Sequence, residues 1–495
     1  MARKSSPTYT IEFPLDIPLW QRHRLEKKFK IARTVYNSCL GEALKRHKHV
    51  KADKEYRRLL KEPKSKERDL QLLSEIRLAY GFSEYGLHDF VKQVQHKFKE
   101  NIGSFEAQKL ATRAFQSVEK LHFDKARKVH FKKLDDNISV ENKSNKTGLR
   151  YANGNILWGD KPTKKYPNPK NWLCMPIAPN ANDEYAHLAL MDKTKYVRIL
   201  KREVRGKVRY FVQLIQEGYP PTKRNRKVAN DGNKRVGIDI GSSTIAFSSE
   251  TTVELRELAP ECNVDKVGLR RIQRAMDRSK RATNTDNFKE DGTIKKGRLE
   301  WNYSNRYKKL RKIRKEWYRK MAVRRKIAHE KLANDILALG SDVRIETMRF
   351  QSIQKRTKKT TRNKKNGKIN RKKRFGKSIA NHAPAMLLTI IDRKLGYQGR
   401  SLKKIDTYAT KASQFNHVTG EYTKKQLSER WNDFGEFRIQ RDLYSAYLIR
   451  NTTETLNSVD VDKCNEQWNN FVKMHNREIA RLKESASKTL RWFVA

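Results

Sequence analysis

The sequence predicts an α/β chain built from several domains, and three observations carry that reading. The apolar spacing switches from period two near residue 9 to a helical period between Pro18 and about Lys128, then back to two between His130 and Pro221. Beyond residue 234 an apolar strand, a second strand, a long helix and a third strand follow in turn, the order of a sheet layered with helices. The 495 residues exceed what one core holds; at roughly 150 residues per domain they make about three.

Taken in order, Tyr9 to Phe13 alternates and reads as a short strand. The helical region carries Leu25, Phe29, Ala32, Val35 and Tyr36 at helical spacing, breaks at Lys61 to Arg68 around Pro63, and resumes from Phe105 to His122. Asn153-Gly154 and Arg205-Gly206 are hairpin turns between strands. A strand at residue 9 rejoined by strands after residue 130 implies a barrel interrupted by a helical insertion. Pro220-Pro221 and the polar run to Lys234 form a linker. Arg235 to Gly241 is a strongly apolar strand, with a second from Thr244 to Phe247. The spacing of Leu310, Ile313, Trp317, Met321, Ala328, Leu332, Ile336 and Leu339 predicts one helix from Ser304 to Leu339. Gly340 is placed to close it as a C-terminal cap. Asp342 to Glu346 is a further strand, and Lys355 to Lys377 is a tract without acids in which about half the positions are Lys or Arg.

Charge narrows the function. Lys and Arg number 111 against 55 Asp and Glu, a formal net charge of +56. A chain that repels itself this strongly calls for a polyanionic partner. No apolar run nears the ~20 residues that cross a bilayer, and Met1 to Phe13 has no apolar signal core. A cytoplasmic protein without a membrane partner is therefore expected. The four cysteines, Cys39, Cys174, Cys262 and Cys464, contain no CxxC pair, so neither a disulfide scaffold nor a zinc site is expected.

Three carboxylates stand out. Asp239 lies within an apolar strand between Ile238 and Ile240, where a charge is costly unless it is paired or binds metal. Glu346 ends the Val343-Arg344-Ile345 strand, and Asp442 opens an amphipathic helix in Gln440-Arg441-Asp442-Leu443-Tyr444. Their separations are 107 and 96 residues, so only a fold can unite them. Converging, they would hold two Mg²⁺ ions about 4 Å apart, the arrangement for in-line phosphodiester hydrolysis. Taken singly, Asp239 and Asp442 have other readings, and Glu346 alone is a weak signal. Asp239 also fits the phosphate loop of a sugar-kinase-type ATPase, and Asp442 fits an acid complementing a helix dipole. Such an ATPase needs a second phosphate loop and a Gly-rich adenosine site, and neither is present in the sequence.

Val236-Gly237-Ile238-Asp239-Ile240-Gly241, Arg344-Ile345-Glu346-Thr347-Met348 and Gln440-Arg441-Asp442-Leu443-Tyr444-Ser445-Ala446 resemble the three split motifs of a RuvC nuclease domain. They are similar in particular to those of TnpB, the transposon-encoded RNA-guided nucleases ancestral to the type V CRISPR effectors. Leu269 to Arg281, Trp301-Asn302, Ala383-Pro384-Ala385 and Leu427-Ser428-Glu429-Arg430-Trp431 share the family's style. The resemblance is clear over residues 228 to 450, looser over 153 to 221, and one of layout alone in the helical part.

The resemblance implies an RNase H-like RuvC core plus a wedge β-barrel interrupted by a helical recognition domain. It divides the chain into a wedge strand (1–17), the helical domain (18–130), the rest of the barrel (131–227), RuvC parts I and II with a bridge-type basic helix and a basic lid at 355–377 (228–406), a target-nucleic-acid-binding hairpin (407–437), and RuvC part III with the tail (438–495). It implies an RNA-guided DNA endonuclease of prokaryotic origin, whose partners are a guide RNA and the target DNA paired with it beside a short flanking motif. Asp239, Glu346 and Asp442 would be catalytic and would hold two Mg²⁺, with Asp239 bridging both ions. The products would be a 5′-phosphate and a 3′-hydroxyl. A nuclease-inactive RNA-guided repressor of the same ancestry is the alternative, against which the three intact acids argue. Most relatives carry two CxxC pairs before the third acid. Here residues 407 to 439 have no cysteine, so a plain hairpin turning at Thr419-Gly420 is expected, without zinc and packed through Phe415, Val418, Tyr422, Leu427 and Trp431.

For nucleic-acid contacts the basic segments supply Arg270, Arg271, Arg274, Arg278, Lys280 and Arg281 on a short helix, and Lys364, Lys365, Lys372, Lys373 and Arg374 in the lid. Arg271, Arg274 and Arg278 share one helix face, suited to consecutive phosphates; a solvated charged face is the alternative for each. Trp317, Tyr318 and Phe350 are aromatic residues in basic context that could stack bases, with core packing the other role for Trp317.

Overall fold

The computed structural model describes residues 6–63, 69–134, 136, 138–160, 163–164, 167, 171–222, 233–262, 266–355, 360–363, 367, 375–426 and 429–495. The chain divides into two compact units, Met1–Arg224 and Asn225–Ala495.

The first unit opens with β1 (Thr8–Leu15), whose alternation buries Tyr9, Ile11, Phe13 and Leu15 and exposes the residues between. Helices α1 (Leu19–Ala52), α2 (Lys54–Lys61), α3 (Leu70–Ala79), α4 (Glu84–His96) and α5 (Ser104–His122) follow. The buried line Leu25, Phe29, Ala32, Tyr36, Cys39 and Ala43 explains why α1 is long: one face stays apolar over most of its length. Asp53, Asp69 and Ser83 start α2, α3 and α4 by accepting bonds from the amides of Tyr56, Leu72 and Gly86.

The chain then returns to strands. These are β2 (Ser139–Glu141), β3 (Arg150–Ala152), β4 (Asn155–Trp158) and β5 (Leu173–Pro176), then β6 (Thr194–Val204) and β7 (Lys207–Glu217) after helix α6 (Glu184–Met191). The first strand pairs with the last, Thr8 opposite Glu217, so the helices are an insertion between strands of one sheet. The expected barrel is laid down as two antiparallel sheets, β1-β7-β6-β2 and β3-β4-β5, linked by the bridge between Leu15 and Ile177. Both hairpin turns have left-handed central residues, Asn153 with Gly154 and Arg205 with Gly206, as two-residue turns require. Helix α6 was not foreseen; it begins at an Asp183 cap inside a stretch read as strands.

The second unit is built on the sheet β10-β9-β8-β11-β12, formed by β8 (Arg235–Ile240), β9 (Thr244–Ser248), β10 (Val253–Glu257), β11 (Asp342–Glu346) and β12 (Lys403–Ile405). The first three are mutually antiparallel, whereas β11 runs parallel to both β8 and β12. Helix α7 (Lys266–Thr283) and the 35-residue α8 (Asn305–Leu339) connect the two halves. After β11 come α9 (Phe350–Gln354), α10 (Gly376–His382) and α11 (Pro384–Gly396), then α12 (Thr407–Thr410) beyond β12. The hairpin β13 (Trp431–Asp433) and β14 (Arg438–Gln440) leads directly into α13 (Arg441–Arg450), and α14 (Val461–Glu484) and α15 (Lys488–Val494) close the chain.

The period of two assigns each strand residue to a face. Val236, Ile238, Ile240, Val343 and Ile345 pack with Leu332 and Ile336 of α8 and Leu387 and Ile390 of α11. On the opposite face Ala246, Leu255 and Ile405 pack with Leu443, Ala446, Tyr447 and Phe471 of α13 and α14. Asp239 and Glu346 belong to this second face.

Two sequence expectations for α8 change. The helix runs from a Ser304 cap to Leu339, but Gly340 is extended (φ 169°) and is no left-handed cap. Its glycine is needed for space, since a Cβ there would lie 2.2 Å from the Lys234 carbonyl oxygen. The apolar stripe buries its C-terminal part, Leu332 and Ile336, whereas Ile313 is 53% exposed.

Candidate active site

The acids are brought together by register and by a close helix–sheet approach. Strands β8 and β11 pair in parallel with Ile238 opposite Ile345, so the next residues, Asp239 and Glu346, lie side by side on one face. Helix α13 covers that face, and Gly237 is what lets it come so near. A Cβ on Gly237 would lie 2.1 Å from the Ala446 carbonyl oxygen and 2.3 Å from the Arg450 nitrogen. Asp442 is in the first turn of this helix.

The start of α13 is fixed from several sides. Gln440 is wholly buried; its side chain caps the helix by accepting from the Leu443 amide (2.9 Å), while its Nε2 donates to Asp442 Oδ2 (3.3 Å). Its own amide donates to His475 Nε2 at 2.9 Å. The far end is equally held. Arg450, fully buried, donates to the Ser249 carbonyl and to Gln467. Arg344 on β11, also buried, donates to the Thr452 carbonyl just past the helix and pairs with Asp342 (2.9 Å) and Glu454 (3.1 Å). Both buried guanidiniums are paired or hydrogen-bonded, as burial demands.

The electrostatics record the convergence. Burial raises the Asp239 carboxyl well above its ordinary range, and the charges of Asp442 and Glu346 raise it further, opposed by Arg441. Burial also raises Glu346, again opposed by Arg441. Glu346 Oε1 is a buried oxygen without a hydrogen-bond partner. Asp442 has a cation nearby, Arg430 Nη1 at 3.7 Å from Oδ2. Such a site is short of positive charge, and a hard cation with oxygen ligands is what would relieve it. Among the described residues, no group of three or more His, Cys, Asp or Glu side chains, these three acids included, is placed so that it could hold a metal ion.

Reading the sequence alone missed three contributors: Arg441, Gln440 and Gly237 in its role as the point of approach. Arg441 was legible in principle, because an Arg directly before an acid at a helix start places both near one site.

The basic residues divide. Arg270, Arg271, Arg274 and Arg278 are exposed on α7. Lys280 and Arg281 are engaged within the unit, Lys280 Nζ 3.4 Å from the centre of the Trp301 ring and Arg281 over Phe288 with an ion pair to Asp277 (3.0 Å). Of the aromatic residues, Tyr318 is half exposed, Phe350 is buried in the core, and Trp317 packs beside Met321. Lys364, Lys365, Lys372, Lys373 and Arg374, with most of the proposed lid, lie outside the described residues.

The hairpin before α13 turns at Thr419-Gly420, with Phe415 bridged to Tyr422 and Gly420 left-handed. Its packing agrees with expectation at Phe415, buried in the core, and Trp431, packed against it, and differs elsewhere. Val418 and Tyr422 are exposed, Leu427 lies outside the described residues, and the anchor is His417, 2% exposed. His417 packs tilted or edge-on among the rings of Tyr444, Tyr447, Trp468 and Phe434, with Nδ1 2.7 Å from the Tyr444 hydroxyl. Burial lowers its pKa to about 4. A histidine kept neutral by the fold contributes stability above its unfolded pKa of about 6.5 and loses it as pH falls toward 4. The stability difference between the wild type and His417→Phe is therefore expected to shrink steadily from pH 7 to pH 4.5 in thermal melts. A difference independent of pH would show that the imidazole is not held neutral.

No protein-family model matches the chain, and no curated protein does. Among solved structures it is similar to the protein of a cryo-EM Cas12f1–sgRNA–target DNA complex, with 12% identity, a TM-score of 0.40, and 92% of this chain and 100% of that one covered. It is similar also to the protein of a cryo-EM CRISPR-Cas12f ternary complex, with 14% identity, a TM-score of 0.26, and 89% and 83% covered. The likeness is distant and carries no argument about chemistry. No helix among the described residues is long and apolar enough to cross a membrane.

Proposed function

We propose that the chain is an RNA-guided DNA endonuclease that hydrolyses phosphodiester bonds with two Mg²⁺ ions held by Asp239, Glu346 and Asp442. The observation that carries this reading is that three acids far apart in sequence are brought near one another, Asp239 and Glu346 on one face of a sheet and Asp442 on the helix covering it, where the other two raise the cost of ionising Asp239. A fold keeps such mutual repulsion where a function needs the charge. The sheet supports an RNase H-like core, with three antiparallel strands followed by two parallel ones and acids on the adjacent β8 and β11. The helices inserted into the first unit support a recognition domain set within a wedge.

The chain's own residues then have distinct tasks. Asp239 and Glu346 present oxygens from rigid strands, and Glu346 Oε1 has no competing donor to release. Asp442 presents a third carboxylate from a capped helix, oriented by Gln440 and Arg430. Arg441 limits the protonation of the acid pair, keeping it ready for a cation. Bound Mg²⁺ would supply Lewis-acid activation of the phosphate and a water acidic enough to attack near neutral pH. The exposed arginines of α7 suit the backbone of a nucleic acid.

The test is to sequence the RNA that copurifies with the chain and offer a DNA duplex complementary to it with a randomised flank. Mg²⁺-dependent cuts bearing 5′-phosphate and 3′-hydroxyl ends, restricted to a subset of flanks, are expected. Absence of bound RNA and of cleavage would refute the proposal.

A smaller effect follows from the same electrostatics. An acid whose folded pKa is raised contributes stability below its unfolded value of about 3.9 and loses it as pH rises through the folded one. Without metal at neutral pH, Asp239→Asn is therefore expected to melt at a higher temperature than the wild type, with the gain vanishing below about pH 4. A lower melting temperature at neutral pH would contradict the mutual repulsion.

A further inference from the structure

The first unit carries a cluster of cations to which the acid site gives no task. Lys30 and Arg33 of α1, Lys132 and Lys133 before β2, and Lys201 of β6 line one small notch. Among the described residues, Asp136 is the one acid in that lining, and none of the five cations forms an ion pair.

Backbone bonds hold the notch in shape. The Lys132 amide donates to Asn37 Oδ1 (2.9 Å) and Asn37 Nδ2 donates back to the Lys132 carbonyl oxygen (3.0 Å), which fixes this segment on α1. The Lys201 amide donates to the Ile138 carbonyl oxygen (3.2 Å), and Asp136 Oδ2 is taken up by the Lys133 amide (2.7 Å). Lys132 Nζ lies 4.7 Å from the centre of the Tyr36 ring. Burial lowers the pKa of Lys132, and the charge of Arg113 lowers it further, against the pull of Asp136. Like charges gathered at a partly buried place are costly, and a bound anion offsets that cost. The notch measures about 20 Å³, room for one water-sized group. A phosphate oxygen enters such a space; the ring of a base does not.

The same helix leads away from the notch along an exposed face. Trp20, His23, Lys27 and Lys30 recur every three or four residues and are all exposed. Trp20 is 57% exposed, with the Arg24 guanidinium 5.1 Å from its ring centre. Arg24 is itself tied by Nη1 to the Trp172 carbonyl oxygen (3.3 Å). An exposed indole beside a guanidinium stacks a base without regard to its identity. Trp20 and Lys30 lie about 15 Å apart along the helix axis, the rise of roughly four stacked nucleotides. We propose that a single strand of bound nucleic acid runs along this face of α1, seating a phosphate in the notch and stacking a base on Trp20. An acidic peptide would fill the notch but bring no base to the indole. The inference rests on the nucleic-acid reading above.

The full chain, stripped of bound RNA, tests it with labelled single-stranded RNA and the matching DNA. Labelling of lysines by an N-hydroxysuccinimide ester, read by mass spectrometry, should show Lys30, Lys133 and Lys201 protected by the bound strand. Protection in the RNA arm or the DNA arm identifies the strand that lies there. Trp20→Ala, at an exposed position, should weaken binding about fivefold or more with the salt slope unchanged, whereas Trp20→Phe keeps most of the affinity. Lys133→Gln with Lys201→Gln should flatten the slope of log affinity against log salt by about 0.7, one phosphate contact on a single strand. Lys45→Gln with Lys48→Gln, exposed on α1 outside the notch, should flatten it less. Equal flattening by both pairs overturns the notch in favour of diffuse charge. Equal protection by polyglutamate overturns the assignment to a nucleotide strand. If nucleic acid binds but the lysines stay reactive and Trp20→Ala binds as the wild type does, the track fails and the nucleic-acid reading stands. If no nucleic acid binds, both fail.

Discussion

Replacing Asp239 by alanine is expected to lower DNA cleavage by at least about 10³-fold, as removal of a central member of a catalytic unit does elsewhere. Asp239 is the acid whose ionisation the charges of the other two oppose, so its loss removes the carboxylate at the centre of the proposed site. Asparagine should be nearly as damaging, because a neutral amide holds Mg²⁺ weakly. Guide and target binding should stay within about twofold of the wild type, since phosphate contacts and base pairing set it. Single-turnover cleavage beside filter binding separates the two effects. Retained Mg²⁺-dependent cleavage by Asp239→Ala would remove the three acids from the mechanism.

Gly237→Val is expected to act on structure and through it on chemistry. The new Cβ would meet the backbone of α13 at Ala446 and Arg450, which cannot swing away as a side-chain tip can. Overpacking of this kind costs about 1–3 kcal/mol when side chains yield, and a backbone contact belongs at or above the upper end. The helix would have to lift from β8, carrying Asp442 away from Asp239. Thermal melting should fall markedly, and any folded fraction should cleave poorly even at saturating Mg²⁺. An unchanged melting temperature would mean that α13 does not rest on Gly237.

Much of the second unit was legible because its signals are local. The glycine-flanked apolar strand around Asp239, the length of α8 and the strand ending at Glu346 all follow from short-range patterning, and the structure keeps them within a residue or two. The three acids were legible as candidates by residue type. That they come near one another was legible only through the family resemblance, because the parallel register of β8 and β11 and the approach of α13 to Gly237 are tertiary facts. Packing before α13 was misread for the same reason. Val418 and Tyr422 have the more apolar side chains, but His417 is the one turned into the aromatic cluster, where its Nδ1 finds the Tyr444 hydroxyl. Lys280 and Arg281 show the limit of charge as a guide. In sequence they match Arg278, yet each is engaged by an aromatic ring of the same unit.

The central claim is that paired RNA selects the DNA that the three acids cut. Exchanging only the guide segment of the bound RNA, and supplying a DNA duplex matched to the new guide beside the same flanking motif, tests it most directly. Cleavage is expected to move to the new target and to vanish from the old one, with Asp239→Ala silent on both. Cleavage that stays on the original DNA would place recognition in the protein side chains and contradict the account.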